Sequence, residues 1–194
     1  MMLRPATLFW GMVLLVLVPA FAWRPGRVMH PDKAFVAWSR QIIAIRLSEF
    51  AVIFLYIGNV YGWRWDFSLT SVPNVAAWAG LVVALAGVVL TLWSKVRLGA
   101  YFSTTLGVKK DHQLITSGPY ARIRHPIYTG LLLVIVGGAL VYNSGAALIL
   151  LAVPFSAFFY WQSVVEEKLL VDHFGEAYSR YREATGRLFP RLLR

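Results

Sequence analysis

The sequence predicts an all-α integral membrane protein of about five transmembrane helices, the last two forming a C-terminal helical hairpin. Three observations point there. Of 194 residues, 58% are hydrophobic and 14% charged, whereas soluble domains are about 45–50% apolar and about 25% charged. Five apolar stretches alternate with polar segments. The basic residues behind a net charge of +10 lie between those stretches, as Lys and Arg do in cytoplasmic loops. In a soluble domain such charge would suggest nucleic acid. Spread between apolar runs it does not, and no nucleic-acid partner is expected. The absence of cysteine excludes disulfides, thiolate nucleophiles and cysteine metal sites.

The first stretch, Thr7 to Trp23, is long for a signal peptide, and the "RPGRVMH" after it lacks a small-residue cleavage site, so it reads as a retained helix. The second, Ile42 to Trp63, carries Arg46 and Glu49. The third, Val75 to Trp93, has no charge. The fourth and fifth, Ile127 to Tyr142 and Ala146 to Trp161, are joined by the short turn "NSG". Both are brief for a bilayer core that wants about 20 residues. They need their polar flanks, or they form a hairpin that barely crosses.

Charge tests the count. Segment 24–41 holds Arg24, Arg27, Lys33 and Arg40, and segment 94–126 holds Lys95, Arg97, Lys109, Lys110, Arg122 and Arg124. The tail beyond Trp161 adds Lys168 and five arginines. In segment 64–74 Asp66 cancels Arg64, and "NSG" is neutral. Five spans put all three basic segments on one side, with the N-terminus outside and the C-terminus cytoplasmic.

The hairpin brings distant polarity together. With the turn centred on Ser144, antiparallel helices place His125 opposite Ser163 and Arg122 opposite Glu166, to within a turn of helix. "RIRHP" then faces "VVEEK". Singly these residues have ordinary readings: Pro126 suits a first helical turn, Arg122 and Arg124 a positive flank, Glu166 and Glu167 the start of a solvated helix. Together, ionisable groups near membrane depth are costly and tend to face an interior or a cavity. The connector from Ser94 to Ser117 is long for a compact domain. It keeps Tyr101, Phe102, Leu106, Leu114 and Ile115, with Tyr120 beyond, so it is expected to pack over the hairpin mouth.

No His-x-x-x-His or HExxH occurs, so no metal is expected. No GxGxxG, Walker loop or G-x-S-x-G occurs either. A membrane-edge pocket of aromatics, carboxylates and cations remains. It is compatible with a zwitterionic, adenine-bearing cofactor without requiring one.

"HQLITSGPYARIRHPIYTG" and, after the hairpin, "EEKLLVDHFGEAYSRYREATGRLFP" resemble the isoprenylcysteine carboxyl methyltransferase family and its prokaryotic relatives, a group that includes phospholipid methyltransferases. The match covers about residues 94–190 in order and spacing. The ending "TGRLFP" is similar to archaeal members, and the first two spans match in kind only. The resemblance implies a single membrane methyltransferase domain over 1–194, with N-terminal spans in 1–93 and a cofactor-binding catalytic core in 94–194. It implies S-adenosylmethionine in a cytoplasm-facing pocket, and a lipophilic methyl acceptor entering from the bilayer. Carried over by position, the cofactor contacts would be His112, Gln113, Leu114, Ile115, Tyr120, His125, Pro126, Ile127, Tyr128 and Glu166. A sulfonium methyl is already electrophilic, so transfer needs mainly alignment and exclusion of water. An amine or thiol acceptor would also need a base, with His125 and Glu167 as candidates.

One position departs from the family. Four residues before the first paired glutamate, members that methylate isoprenylcysteine carry an arginine taken to meet the acceptor carboxylate. Here it is Gln162, which lacks the charge and the fork. Arg46 is the candidate substitute, although it also stands where an ion pair with Glu49 would form. An isoprenylcysteine-type carboxylate is the first acceptor expected, with a phospholipid or small lipophilic amine or thiol as the alternative. An NADPH-dependent, sterol-reductase-like oxidoreductase and a non-catalytic relative are the other classes.

Overall fold

The computed structural model describes residues 5–13, 73–102, 113–145 and 148–191. The second apolar stretch and most of the first lie outside them, so the expected count of five spans is not read from these residues. The elements are α1 (Pro5–Met12), α2 (Pro73–Leu98), α3 (Pro126–Val141), α4 (Val153–Phe174) and α5 (Glu176–Ala184). A π-helical turn, Leu148–Ala152, leads into α4. Among the described residues there is no strand, only an isolated parallel bridge between Ile123 and Gly186. The all-α expectation holds there.

Among the described residues, two helices are long and apolar enough to cross a membrane, Asn74–Leu98 and Leu148–Phe174. Both outrun the apolar stretches that announced them. α2 continues through Ser94, Lys95 and Arg97. Lys95 Nζ lies 4.6 Å from the centre of the Phe102 ring, which shields a cation near the helix end. The last helix passes Trp161 and runs to Phe174, so the paired glutamates sit two turns before its end. α3, with 16 residues, is roughly 24 Å long at about 1.5 Å per residue. It remains short for a span.

α2 and α3 form the tightest packing. They run antiparallel, with Gly80 against Gly137 and Gly87 against Gly130. A Cβ on Gly80 would lie 2.5 Å from the Gly137 carbonyl oxygen, and one on Gly87 2.5 Å from that of Gly130. Ala84 is fully buried between these crossings. Glycines seven residues apart on each helix let the backbones touch, and dispersion across that contact replaces the hydrophobic drive that lipid cannot supply. Val75, Trp78, Val82, Leu85, Val89, Trp93 and Val96 are all exposed, as suits a helix facing lipid. α1 closes the far end, where Phe9 packs on Gly138 and Trp10 Nε1 donates to the Tyr142 hydroxyl.

α3 and α4 meet where Tyr128 stacks on Phe159. The tail after α5 turns back, and Leu188 packs with Leu132 and Phe159. Three backbone hydrogen bonds hold it there: Arg124 N–H to Gly186 O at 2.8 Å, His125 N–H to Arg187 O at 3.0 Å, and Gly186 N–H to Arg122 O at 3.1 Å. The Thr129 hydroxyl donates to Leu188 O. Gly175, at φ +57°, makes the left-handed link between α4 and α5 that a side chain would strain.

Candidate active site

His125 is the residue before Pro126, at φ −122° and ψ 59°. Proline disfavours a helical conformation there, so the imidazole stands at the mouth of α3 instead of along its side. It is 7% exposed and lies between the two glutamates of α4. Nδ1 is 3.3 Å from Glu166 Oε2 and Nε2 is 3.4 Å from Glu167 Oε1. The second contact is close but not aligned as a hydrogen bond. Burial opposes a proton on His125, but the two carboxylates outweigh it and hold its pKa above the ordinary imidazole value.

The glutamates have different surroundings. Glu167 is sealed, its side chain 3% exposed. Its Oε1 accepts from Arg124 Nε at 2.8 Å and Arg187 Nε at 3.1 Å, and its Oε2 from Arg187 Nη2 at 2.8 Å. Glu166 is more open, its side chain 28% exposed. The Tyr128 hydroxyl donates to it, and Gln162 Nε2 lies 3.5 Å from the same oxygen. The rings of His125, Tyr128 and Phe159 form a stack, with centroids 5.6 and 5.0 Å apart and interplanar angles of 5° and 14°. Phe155 and Phe158 extend it along α4.

The connector supplies Tyr120. The 3₁₀ turn Gly118–Ala121 begins at Gly118, with φ +62°. It buries the Tyr120 ring, while the Tyr120 carbonyl accepts from the Tyr181 hydroxyl at 2.7 Å. Burial, Tyr181 and the nearby Glu166 raise the Tyr120 pKa, so this phenol stays neutral.

The structure therefore brings His125, Tyr128, Gln162, Glu166 and Glu167 together and sets Tyr120 beside them. Pro126 is buried and Ile127 half-buried at the start of α3. Gln113 is exposed and Leu114 and Ile115 are half-buried on the extended approach to Gly118. His112 and Arg46 lie outside the described residues. The register differs from the expectation by about one turn: Glu166 meets His125, and Arg122 is exposed. The hairpin bends later than Ser144 because Asn143 takes the left-handed φ of 49° and the chain then enters the π turn. The second guanidinium at the glutamates comes from Arg187. Sequence reasoning missed it, along with Leu188. The available signal was an arginine inside the apolar "TGRLFP", a charge with no solvated helix face of its own.

The family model for phospholipid methyltransferases matches residues 75–177. The chain belongs to the phospholipid methyltransferase family. That match begins in α2 and ends in α5, so it spans the glycine crossings and both glutamates but stops short of Arg187. The protein-S-isoprenylcysteine O-methyltransferase of Schizosaccharomyces pombe is 30% identical over 120 residues, 61% of this chain and 51% of that protein. The cobalt-zinc-cadmium resistance protein CzcN of Cupriavidus metallidurans is 32% identical over 129 residues, 66% of this chain and 55% of that protein. This member of the phospholipid methyltransferase family thus spans about half the length of these curated relatives. The fold is similar to that of the eukaryotic intramembrane Ras methyltransferase, isoprenylcysteine carboxyl methyltransferase. The TM-score is 0.64 at 19% identity, over 96% of this chain and 68% of that one.

Proposed function

We propose that the chain is an integral membrane methyltransferase that uses S-adenosylmethionine and acts on a lipophilic acceptor, an isoprenylcysteine-type carboxylate first. The observation that carries this reading is the asymmetry of the paired glutamates around His125. Glu167 is committed to guanidinium partners, whereas Glu166 keeps an open side beside a stack of aromatic rings. The donor set fits the cofactor: a carboxylate for an ammonium or ribose hydroxyl, and neutral phenols and flat rings for an adenine. When bound, S-adenosylmethionine supplies an electrophilic methyl on a sulfonium centre.

The chain's own residues orient and exclude water. Glu166, fixed by Tyr128, binds. Glu167 sets the position of His125. Phe155, Phe158 and Phe159 line the approach from the apolar level of α4 and keep it dry, which suits an alignment-dependent transfer. For an acceptor that must lose a proton, His125 takes it in its neutral form, so such transfer needs a pH above the raised pKa of His125; both oxygens of Glu167 are already occupied by Arg124 and Arg187. The site faces the cytoplasm, and residues 1–194 act as one domain, with 1–93 as N-terminal spans and 94–194 as the catalytic core.

A second reading, a phospholipid or small lipophilic amine or thiol as acceptor, is favoured by Gln162. It is 9% exposed and beside Glu166, so the position expected to meet a carboxylate is neutral. Arg46 is retained as the other candidate for that role.

Calorimetric titration of the detergent-purified protein with S-adenosylhomocysteine, and separately with NADPH, tests the proposal. Binding of the first alone supports it. Binding of NADPH alone moves the chain to the membrane reductases, and binding of neither leaves a fold without this chemistry. Methyl transfer to a prenylated cysteine against a phosphatidylethanolamine then separates the two acceptor classes.

A further inference from the structure

A second polar feature lies on the tail side of Glu167. Arg124, Arg182, Arg187 and Arg191 line an open cleft of about 360 Å³ whose floor is the backbone at Thr185 and Gly186. Among the described residues, none of those expected to hold the cofactor lines it. Its charges do not cancel. Arg124 and Arg187 share the single carboxylate of Glu167. Glu183 on the rim offsets one more cation, and Arg191 donates to the Glu183 carbonyl. Among the described residues two positive charges remain, and Arg182 has no ion pair. Arg124 gives Nε to Glu167 and Nη1 to the Arg182 and Thr185 carbonyls, so the donors left to the cleft are mainly those of Arg182 and Arg191; planar guanidiniums suit an oxyanion, above all a phosphate, which they bind through paired N–H donors.

The flank of the cleft identifies the source of that phosphate. Leu188 is packed at the apolar level of Leu132 and Phe159, and the next residue, Phe189, is 67% exposed. An exposed aromatic ring between Arg187 and Arg191 in the chain is one that acyl chains would cover. Tyr160 and Trp161 are also exposed on α4, and the Arg187 guanidinium lies 4.9 Å from the Tyr160 ring centre. Arginines bordered by exposed aromatics are the composition of a membrane–water interface. A free phosphate needs no such flank.

We propose that this cleft binds the phosphate of an anionic phospholipid headgroup, with Phe189 against its acyl chains, as a lipid site distinct from the methyl-transfer site. The proposal rests on the membrane placement of the proposed function and on none of its chemistry.

The probe is phosphatidylglycerol added to the detergent-solubilised full chain, read by native mass spectrometry, with phosphatidylcholine as the comparison. Phosphatidylglycerol should bind about tenfold more tightly or better, and Arg182→Gln with Arg191→Gln should remove most of that preference. Phe189→Ala should weaken phosphatidylglycerol but not inorganic phosphate. Equal retention of the two lipids, or full retention by the double variant, would overturn the proposal. So would inorganic phosphate competing at the same affinity with no effect of Phe189→Ala, which would mark a soluble-anion site. S-adenosylhomocysteine titration of the double variant is the control. Unchanged binding there supports two separate sites, and its loss would merge the cleft with the cofactor site and overturn the assignment. If the wild-type chain binds phosphatidylglycerol but not S-adenosylhomocysteine, the methyltransferase reading fails and the lipid site stands.

Discussion

Arg187 grips both oxygens of Glu167, with Nε 3.1 Å from Oε1 and Nη2 2.8 Å from Oε2, although the two residues belong to different segments of the C-terminal region. Hydrogen bonding to Glu167 keeps the guanidinium firmly charged. Removing the fork would leave a buried carboxylate with Arg124 as its one guanidinium partner and His125 beside it. Arg187→Met is expected to cost about 3 kcal/mol, the low end of the range for a broken buried pair because Arg124 remains. Thermal unfolding in detergent reads it. Arg187→Lys should recover only part of the loss, since an ammonium cannot bridge both oxygens.

The two glutamates should respond differently to the same change. Glu166→Gln is expected to weaken S-adenosylhomocysteine binding about tenfold or more, with a smaller drop in melting temperature than Glu167→Gln, because its carboxylate is more open to solvent. Glu167→Gln should lower the melting temperature first, since its new amide would point a donor at a guanidinium. Calorimetry and melting curves on both variants check this, and identical behaviour would remove the distinction.

His125 makes stability depend on pH. Its folded pKa lies above the 6.5 of a free imidazole, against burial and because of Glu166 and Glu167. The stabilisation is therefore complete below that value and is lost as pH rises through the raised one. Melting temperature should fall over that interval in the wild type, and His125→Gln should flatten the profile.

At the glycine crossings, a Cβ on Gly137 would sit 2.6 Å from both Gly80 O and Ala84 N. Backbone atoms cannot swing away, so α2 and α3 must separate. Gly137→Val is expected to cost about 1–3 kcal/mol, measured as a drop in melting temperature. Substitution at Gly99, where a Cβ would meet nothing within 4 Å, should be limited to the strain of its positive φ of 51°.

Gln162→Arg should raise methyl transfer to a prenylated cysteine. The new guanidinium would lie within reach of Glu166, so its gain will be divided between acceptor and glutamate. No gain would place carboxylate recognition elsewhere.

Much of this was readable from order and spacing. The mouth of α3 is legible because Pro126 restricts His125 and because charge is rare in so apolar a chain. The meeting of "RHP" and "EE" follows from a short turn between two apolar runs. What was not legible depended on geometry that leaves no local mark. A single π turn shifted the register and exchanged Arg122 for Arg124. The α2–α3 crossing is written as glycines at 80, 87, 130 and 137, but small residues in an apolar helix read equally as lipid-facing. Arg187 was hidden because nothing in "TGRLFP" shows that the chain doubles back.

That doubling back sets an order of assembly. Residues 124–167 leave the ribosome before Arg187 and Leu188 exist, so α3 and α4 are already made while Glu167 has only one guanidinium and the gap beside Phe159 is unfilled. The helices must tolerate this half-neutralised stage, and the pocket takes its final form only when the tail docks against them.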